Sequence, residues 1–93
     1  MPSKTWAFIV DKPELRIQQN PKDSTEFNFD VAADGVLIEY YWTVKVKAGN
    51  VRYKSWDHLA KVVEGLEDFG VSNLPVEIQS VAKEIIFEYE IPF

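Results

Sequence analysis

The chain has 93 residues, of which 46% are hydrophobic and 14% aromatic, with a net charge of −5 and no cysteine. These totals suit a single domain, residues 1–93, with a modest core, and they argue against disorder. They exclude a disulfide framework and a thiolate zinc site, and the acidity opposes general binding to nucleic acid or an anionic membrane.

From Thr5 to Asp11 the residues Trp6, Phe8 and Val10 share one face of an expected strand. A turn at Lys12-Pro13 returns the chain through Leu15 and Ile17, which alternate with Arg16 and Gln18. A tight turn there pairs Val10 with Leu15 and Phe8 with Ile17. Gln19 to Ser24 is a loop by composition. Phe27, Phe29 and Val31 alternate with Asn28 and Asp30 in a third strand. Asp34-Gly35 is a strong hairpin signal, and its natural register sets Val31 against Ile38, Phe29 against Tyr40 and Phe27 against Trp42. Asp30 then faces Glu39.

The fourth strand is the most regular element. Val36, Ile38, Tyr40, Trp42, Val44 and Val46 alternate with Leu37, Glu39, Tyr41, Thr43, Lys45 and Lys47. A turn at Gly49-Asn50 pairs Lys47 with Arg52 and Lys45 with Lys54, placing like charge opposite like charge on the polar face. Four of the ten cations thus cluster in Lys45–Lys54, and such a cluster needs a neutraliser inside the protein or outside it.

Ser55 is placed to cap a helix with its hydroxyl, and Asp57 suits the first turn. Trp56, Leu59, Val62, Val63, Leu66 and Phe69 form an apolar stripe at helical spacing, and Gly70 is a good stop. Gly65 inside this helix costs about 1 kcal/mol relative to alanine. Pro75 suits the first turn of a second helix carrying Ile78, Val81, Ala82 and Ile85, with a short strand over Val76–Ile78 as the competing assignment. Phe87, Tyr89 and Ile91 alternate with Glu88 and Glu90 in an expected final strand ended by Pro92.

The expected architecture is a two-layer α+β sandwich: a mostly antiparallel sheet of five to six strands with one or two helices packed on one face. Its expected core is Trp6, Phe8, Phe29, Ile38, Tyr40, Trp42, Val44, Leu59, Val63, Leu66, Phe87 and Tyr89. The longest apolar runs, Ala7–Val10 and Ile85–Phe87, fall short of a membrane span or signal peptide, so a soluble, cytoplasmic protein is expected.

Chemistry is sparse. His58 is the sole histidine, and its neighbour Asp57 points about 100° away on a helix, so the two do not converge. The expectation is a solvent-facing histidine, and an enzyme built around it has no motif behind it. The serines sit in loop, cap or helix contexts, and the glycines form no phosphate-cradling loop. No catalytic residue, metal ligand or cofactor is therefore assigned. Surfaces remain. Tyr41, Lys45, Lys47, Arg52 and Lys54 form the first candidate, unless Glu88 and Glu90 in a neighbouring final strand neutralise the cations. Asp57, Glu64, Glu67 and Asp68 form the second, an acidic helix face suited to a basic partner. The functional expectation is a non-enzymatic protein-protein interaction module, such as a small acidic inhibitor or accessory subunit. The alternative is a nucleic-acid-binding domain using the cationic hairpin 45–54, with Tyr41 stacking on a base. A membrane partner is not expected. A monomer is expected, or a homodimer through a sheet edge at Thr5–Asp11 or Arg16–Gln19.

Overall fold

The computed structural model describes residues 5–9, 14–32 and 41–91. Strands β1 (Thr5–Ile9), β2 (Glu14–Gln19), β3 (Glu26–Ala32), β4 (Tyr41–Lys47) and β5 (Asn50–Tyr53) run in that spatial order, each antiparallel to its neighbour. Helices α1 (Trp56–Phe69) and α2 (Val76–Glu90) follow, joined by a 3₁₀ turn at Val71–Asn73. Helix α1 lies across β2 to β5, and α2 packs against α1 and β5. The result is a two-layer α+β fold in which β2–β5 form a four-stranded antiparallel floor under the helices, with β1 paired to β2 beyond it.

Alternation places Leu15, Ile17, Phe27, Phe29, Val31, Val44 and Val46 under the helices, all buried. Leu59, Val62, Val63 and Leu66 of α1 and Ile78, Ala82 and Ile85 of α2 complete the core. Each large side chain so buried contributes about 1.5–3 kcal/mol relative to exposure. Trp42 and Tyr89 pack on this core half-buried, whereas Phe87 is 63% exposed and takes no part in it. Ile38 and Tyr40 lie outside the described residues, as do Val10 and the Lys12-Pro13 and Asp34-Gly35 turns.

Three registers differ from expectation, and all three by an even number. Phe8 faces Leu15 and Trp6 faces Ile17, a slip of two residues. Val31 faces Trp42 and Phe29 faces Val44, a slip of four. Lys45 faces Arg52 and Lys47 faces Asn50, a slip of two. An even slip keeps every side chain on its face, so the core does not distinguish these registers from the expected ones. For β3–β4 charge does: the expected register would set Asp30 against Glu39, whereas here Asp30 faces Thr43 and Glu26 faces Lys47.

The β4–β5 turn falls on Ala48-Gly49, both with positive φ (49° and 84°), as a type I′ turn requires. This turn forms two apolar pairs, Val44–Tyr53 and Val46–Val51, and leaves one like-charge pair rather than two. The strain of a left-handed alanine is the cost.

The expected final strand is helical. Helix α2 runs through Phe87, Glu88 and Tyr89 to Glu90, and the Ile91 amide donates to the Phe87 carbonyl at 3.0 Å. Ile78, Ala82, Ile85 and Tyr89 recur at helical spacing against the core, and this outweighs the local alternation of Phe87, Tyr89 and Ile91. The sixth strand is therefore absent among the described residues, and Val76–Ile78 is helix rather than strand. Arg16–Gln19 is no sheet edge either, because β2 lies between β1 and β3.

Ser55 occupies the N-cap position, but its side chain makes no capping bond. Its carbonyl accepts from the His58 and Leu59 amides instead. Gly70 ends α1 with φ 92°, its amide reaching the Leu66 carbonyl at 2.9 Å. A Cβ on Gly65 would meet Val31 Cγ2 at 3.0 Å, which gives the helix glycine a packing reason.

Candidate functional site

Lys45 and Lys47 project from β4, and Arg52 from β5, on the sheet face away from the helices; Lys54 follows the end of β5. All four cations are exposed. Tyr41, the fifth residue of this expected surface, enters β4 opposite Ala32. Thr43 lies between, but its hydroxyl donates to Asp30 Oδ1 at 2.9 Å and is occupied. Burial raises the Asp30 carboxyl above its usual range, opposed by that hydroxyl and by the charge of Arg16.

The counter-charge comes from β3. Glu26 Oε2 lies 3.4 Å from Lys45 Nζ, with only 15% of the glutamate side chain exposed. Asn20 Nδ2 donates to Glu26 Oε1 at 2.6 Å. That hydrogen bond, then Lys45 and Lys47, hold the Glu26 carboxyl below its ordinary value against the opposing effect of burial. Asp23 is also lowered, chiefly by the Thr25 hydroxyl at 2.6 Å and the Thr25 amide at 2.9 Å, with a contribution from Lys47.

Glu88 and Glu90 do not neutralise the hairpin. Glu88 Oε2 accepts a long 3.4 Å bond from the Tyr53 hydroxyl, and Glu90 is exposed on the last turn of α2. Burial and then Glu88 push the Tyr53 phenol upward. Among the described residues, Lys47, Arg52 and Lys54 make no ion pair within 4.0 Å.

A polar depression of about 340 Å³ opens beside this face, bounded by Gln18, Asn20, Glu26, Asn28 and Lys45. Its groups are largely engaged with one another: Asn20 with Glu26, Glu26 with Lys45, and Gln19 Nε2 with the Ser24 carbonyl at 2.9 Å. Asn28 Oδ1 is buried in it without a partner among the described residues.

The second expected surface lies on the opposite side of the sandwich. Asp57, Glu64, Glu67 and Asp68 are all exposed on α1, away from its buried Leu59, Val62, Val63 and Leu66. Glu64 lies 4.0 Å from Lys61. The two candidate surfaces therefore do not form one site.

His58 is not the solvent-facing residue expected. Its Nδ1 accepts the Thr43 amide at 3.2 Å, and its ring meets Trp42 edge-on at 5.0 Å and 74°. The last β4–β5 pair is Val44–Tyr53, so His58 satisfies the first amide beyond the end of that ladder. Among the described residues no group of three or more His, Cys, Asp or Glu side chains gathers as a metal site would. No described helix is long and apolar enough to cross a membrane.

Sequence reasoning missed one exposed feature. Trp56, 45% exposed, stacks on Tyr89 at 5.2 Å and 27° and meets Tyr53 edge-on at 6.2 Å. These aromatics line the β5 border of the sandwich on the helix side, and their meeting depends on α2 continuing to Glu90. The chain matches no protein-family model, no curated protein and no solved structure.

Proposed function

We propose that this domain is a non-enzymatic protein-interaction module, an inhibitor or accessory subunit, that engages an acidic partner through the outer face of β4 and β5. One observation carries this reading: Lys47, Arg52 and Lys54 stand exposed without an ion pair among the described residues. Lys45 and Arg52 face one another across the ladder, an arrangement that costs stability in isolation and that an acidic surface would relieve. Complementary charge of this kind steers encounter and selects partners.

A protein fits this face better than a nucleic acid. The cations are bordered by Asp23, Glu26 and Asp30, and the chain as a whole carries −5, which repels a long polyanion. The test is capture of partners from the native cell by the wild-type domain and by a variant carrying Lys47→Glu, Arg52→Glu and Lys54→Glu. The reading expects the captured protein to be lost with the charge-reversed variant and kept with Glu64→Lys and Glu67→Lys on α1. Retention by the hairpin variant removes it. Titration with single-stranded nucleic acid at falling salt decides the alternative, since phosphate contacts strengthen as salt falls.

A further inference from the structure

We infer that the free edge of β5 takes an extended segment of the partner as an added strand, and that this segment alternates acidic with apolar residues. The inference rests on the hairpin reading above and names the partner's form.

β5 has a neighbour on one side only: β4 lies at one edge, and no described strand lies at the other. The type I′ turn at Ala48-Gly49 is closed by the Lys47–Asn50 pair, which in this geometry exchanges both backbone bonds. Bonding alternates along an antiparallel ladder, so Arg52 also turns its backbone groups toward β4. Val51 and Tyr53 turn theirs outward. Among the described residues no backbone group outside the sheet meets them. An edge with open donors and acceptors is a template for another strand.

The two sides of that edge differ in chemistry. On the outer side stand the exposed cations Arg52 and Lys54. On the helix side stands Trp56, nearly half exposed and held by Tyr89 and Tyr53. Successive side chains of an added strand point to opposite sides. Every second residue therefore meets cations, and the residues between meet the aromatic border. Acidic and apolar residues in alternation satisfy both. A second copy of β5 does not, since it would bring Arg52 close to the same cations of the other copy. The edge charges thus oppose self-pairing and favour an acidic strand.

The test is amide hydrogen exchange on the isotope-labelled domain with a short synthetic peptide alternating glutamate and valine. Exchange at Val51 and Tyr53 is expected to slow by roughly tenfold or more, as a new strand hydrogen bond requires of an open amide. The same peptide with backbone N-methyl groups on the residues facing β5 is expected to lose both the protection and the binding. Methylation leaves the domain itself untouched, so the comparison of the two peptides needs no variant of the domain, and Arg52→Glu enters only at an exposed position. Equal binding of both peptides, abolished by Arg52→Glu, overturns strand addition and leaves the charge reading standing. Absence of a saturable response to either peptide also overturns it, and the charge-reversal capture then judges the hairpin reading independently.

Discussion

Glu26 and Lys45 meet at 3.4 Å between neighbouring strands, and this contact decides how the cationic hairpin is held. It exists because β3 and β4 pair in the register that sets Glu26 opposite Lys47 and Asn28 opposite Lys45. That carboxylate pairs with Lys45 and leaves Lys47, Arg52 and Lys54 without an ion pair within 4.0 Å among the described residues.

Acid titration tests that contact. Glu26 and Asp23 are both held below their ordinary values of 4.5 and 3.8. A carboxyl with a lowered folded-state value contributes stability that is present above its unfolded value and lost as pH falls through the folded one. Asp30 is raised, so it acts in the opposite sense: its contribution is full below its unfolded value and lost as pH rises through the folded one. Glu26→Gln is expected to lower stability at neutral pH and to flatten the loss between neutrality and strong acid. Asp30→Asn should leave neutral stability equal or higher, because the amide oxygen still accepts from Thr43. Urea unfolding of the three proteins across that pH range checks both signs.

Ala48 holds φ 49° in the type I′ turn. Asparagine is favoured there, and the left-handed penalty on alanine is about 1–2 kcal/mol. Ala48→Asn is expected to raise stability by about 0.5–1 kcal/mol, seen as a thermal midpoint a few degrees higher. An unchanged or lower midpoint would place the turn elsewhere.

Gly65 sets helix propensity against packing. Propensity alone says Gly65→Ala stabilises by about 1 kcal/mol. The added Cβ, however, meets buried Val31 at 3.0 Å, and overpacking costs about 1–3 kcal/mol. The substitution is expected to destabilise in the wild-type background and to stabilise in a Val31→Ala background. That change of sign in a double-mutant cycle is the readout.

His58→Ala removes the acceptor of the Thr43 amide and the ring against Trp42. The expected loss is about 1–2 kcal/mol. Faster hydrogen exchange at Thr43 separates this role from a general loosening of α1.

What could be read in the chain, and what could not, follows from the physics of these elements. Alternation assigned Phe27, Phe29, Val31, Val44 and Val46 to one side of the sheet, and helical spacing did the same for Leu59, Val63 and Leu66. The apolar pattern left the registers open, because a slip of two or four residues leaves those faces unchanged. Glu26 was therefore invisible as the partner of Lys45, and Glu88 and Glu90 took its place in expectation. The stretch from Phe87 to Ile91 fits two periods at once, and only packing of Ile85 and Tyr89 on the core selects the helix. The Trp56–Tyr89 stack and the bond from Thr43 to His58 join residues far apart in the chain, so no local pattern signals them.

The proposed contact is between the outer face of β4 and β5 and an acidic partner protein. Photo-crosslinking in the native cell probes that contact, with the photoreactive residue placed at exposed Asn50 on the hairpin and, separately, at exposed Glu64 on α1. A defined adduct with an acidic protein is expected from position 50, diminished by Arg52→Glu and Lys54→Glu, and none of comparable yield from position 64. The same adduct from both positions, or one from position 50 that survives charge reversal, would contradict it.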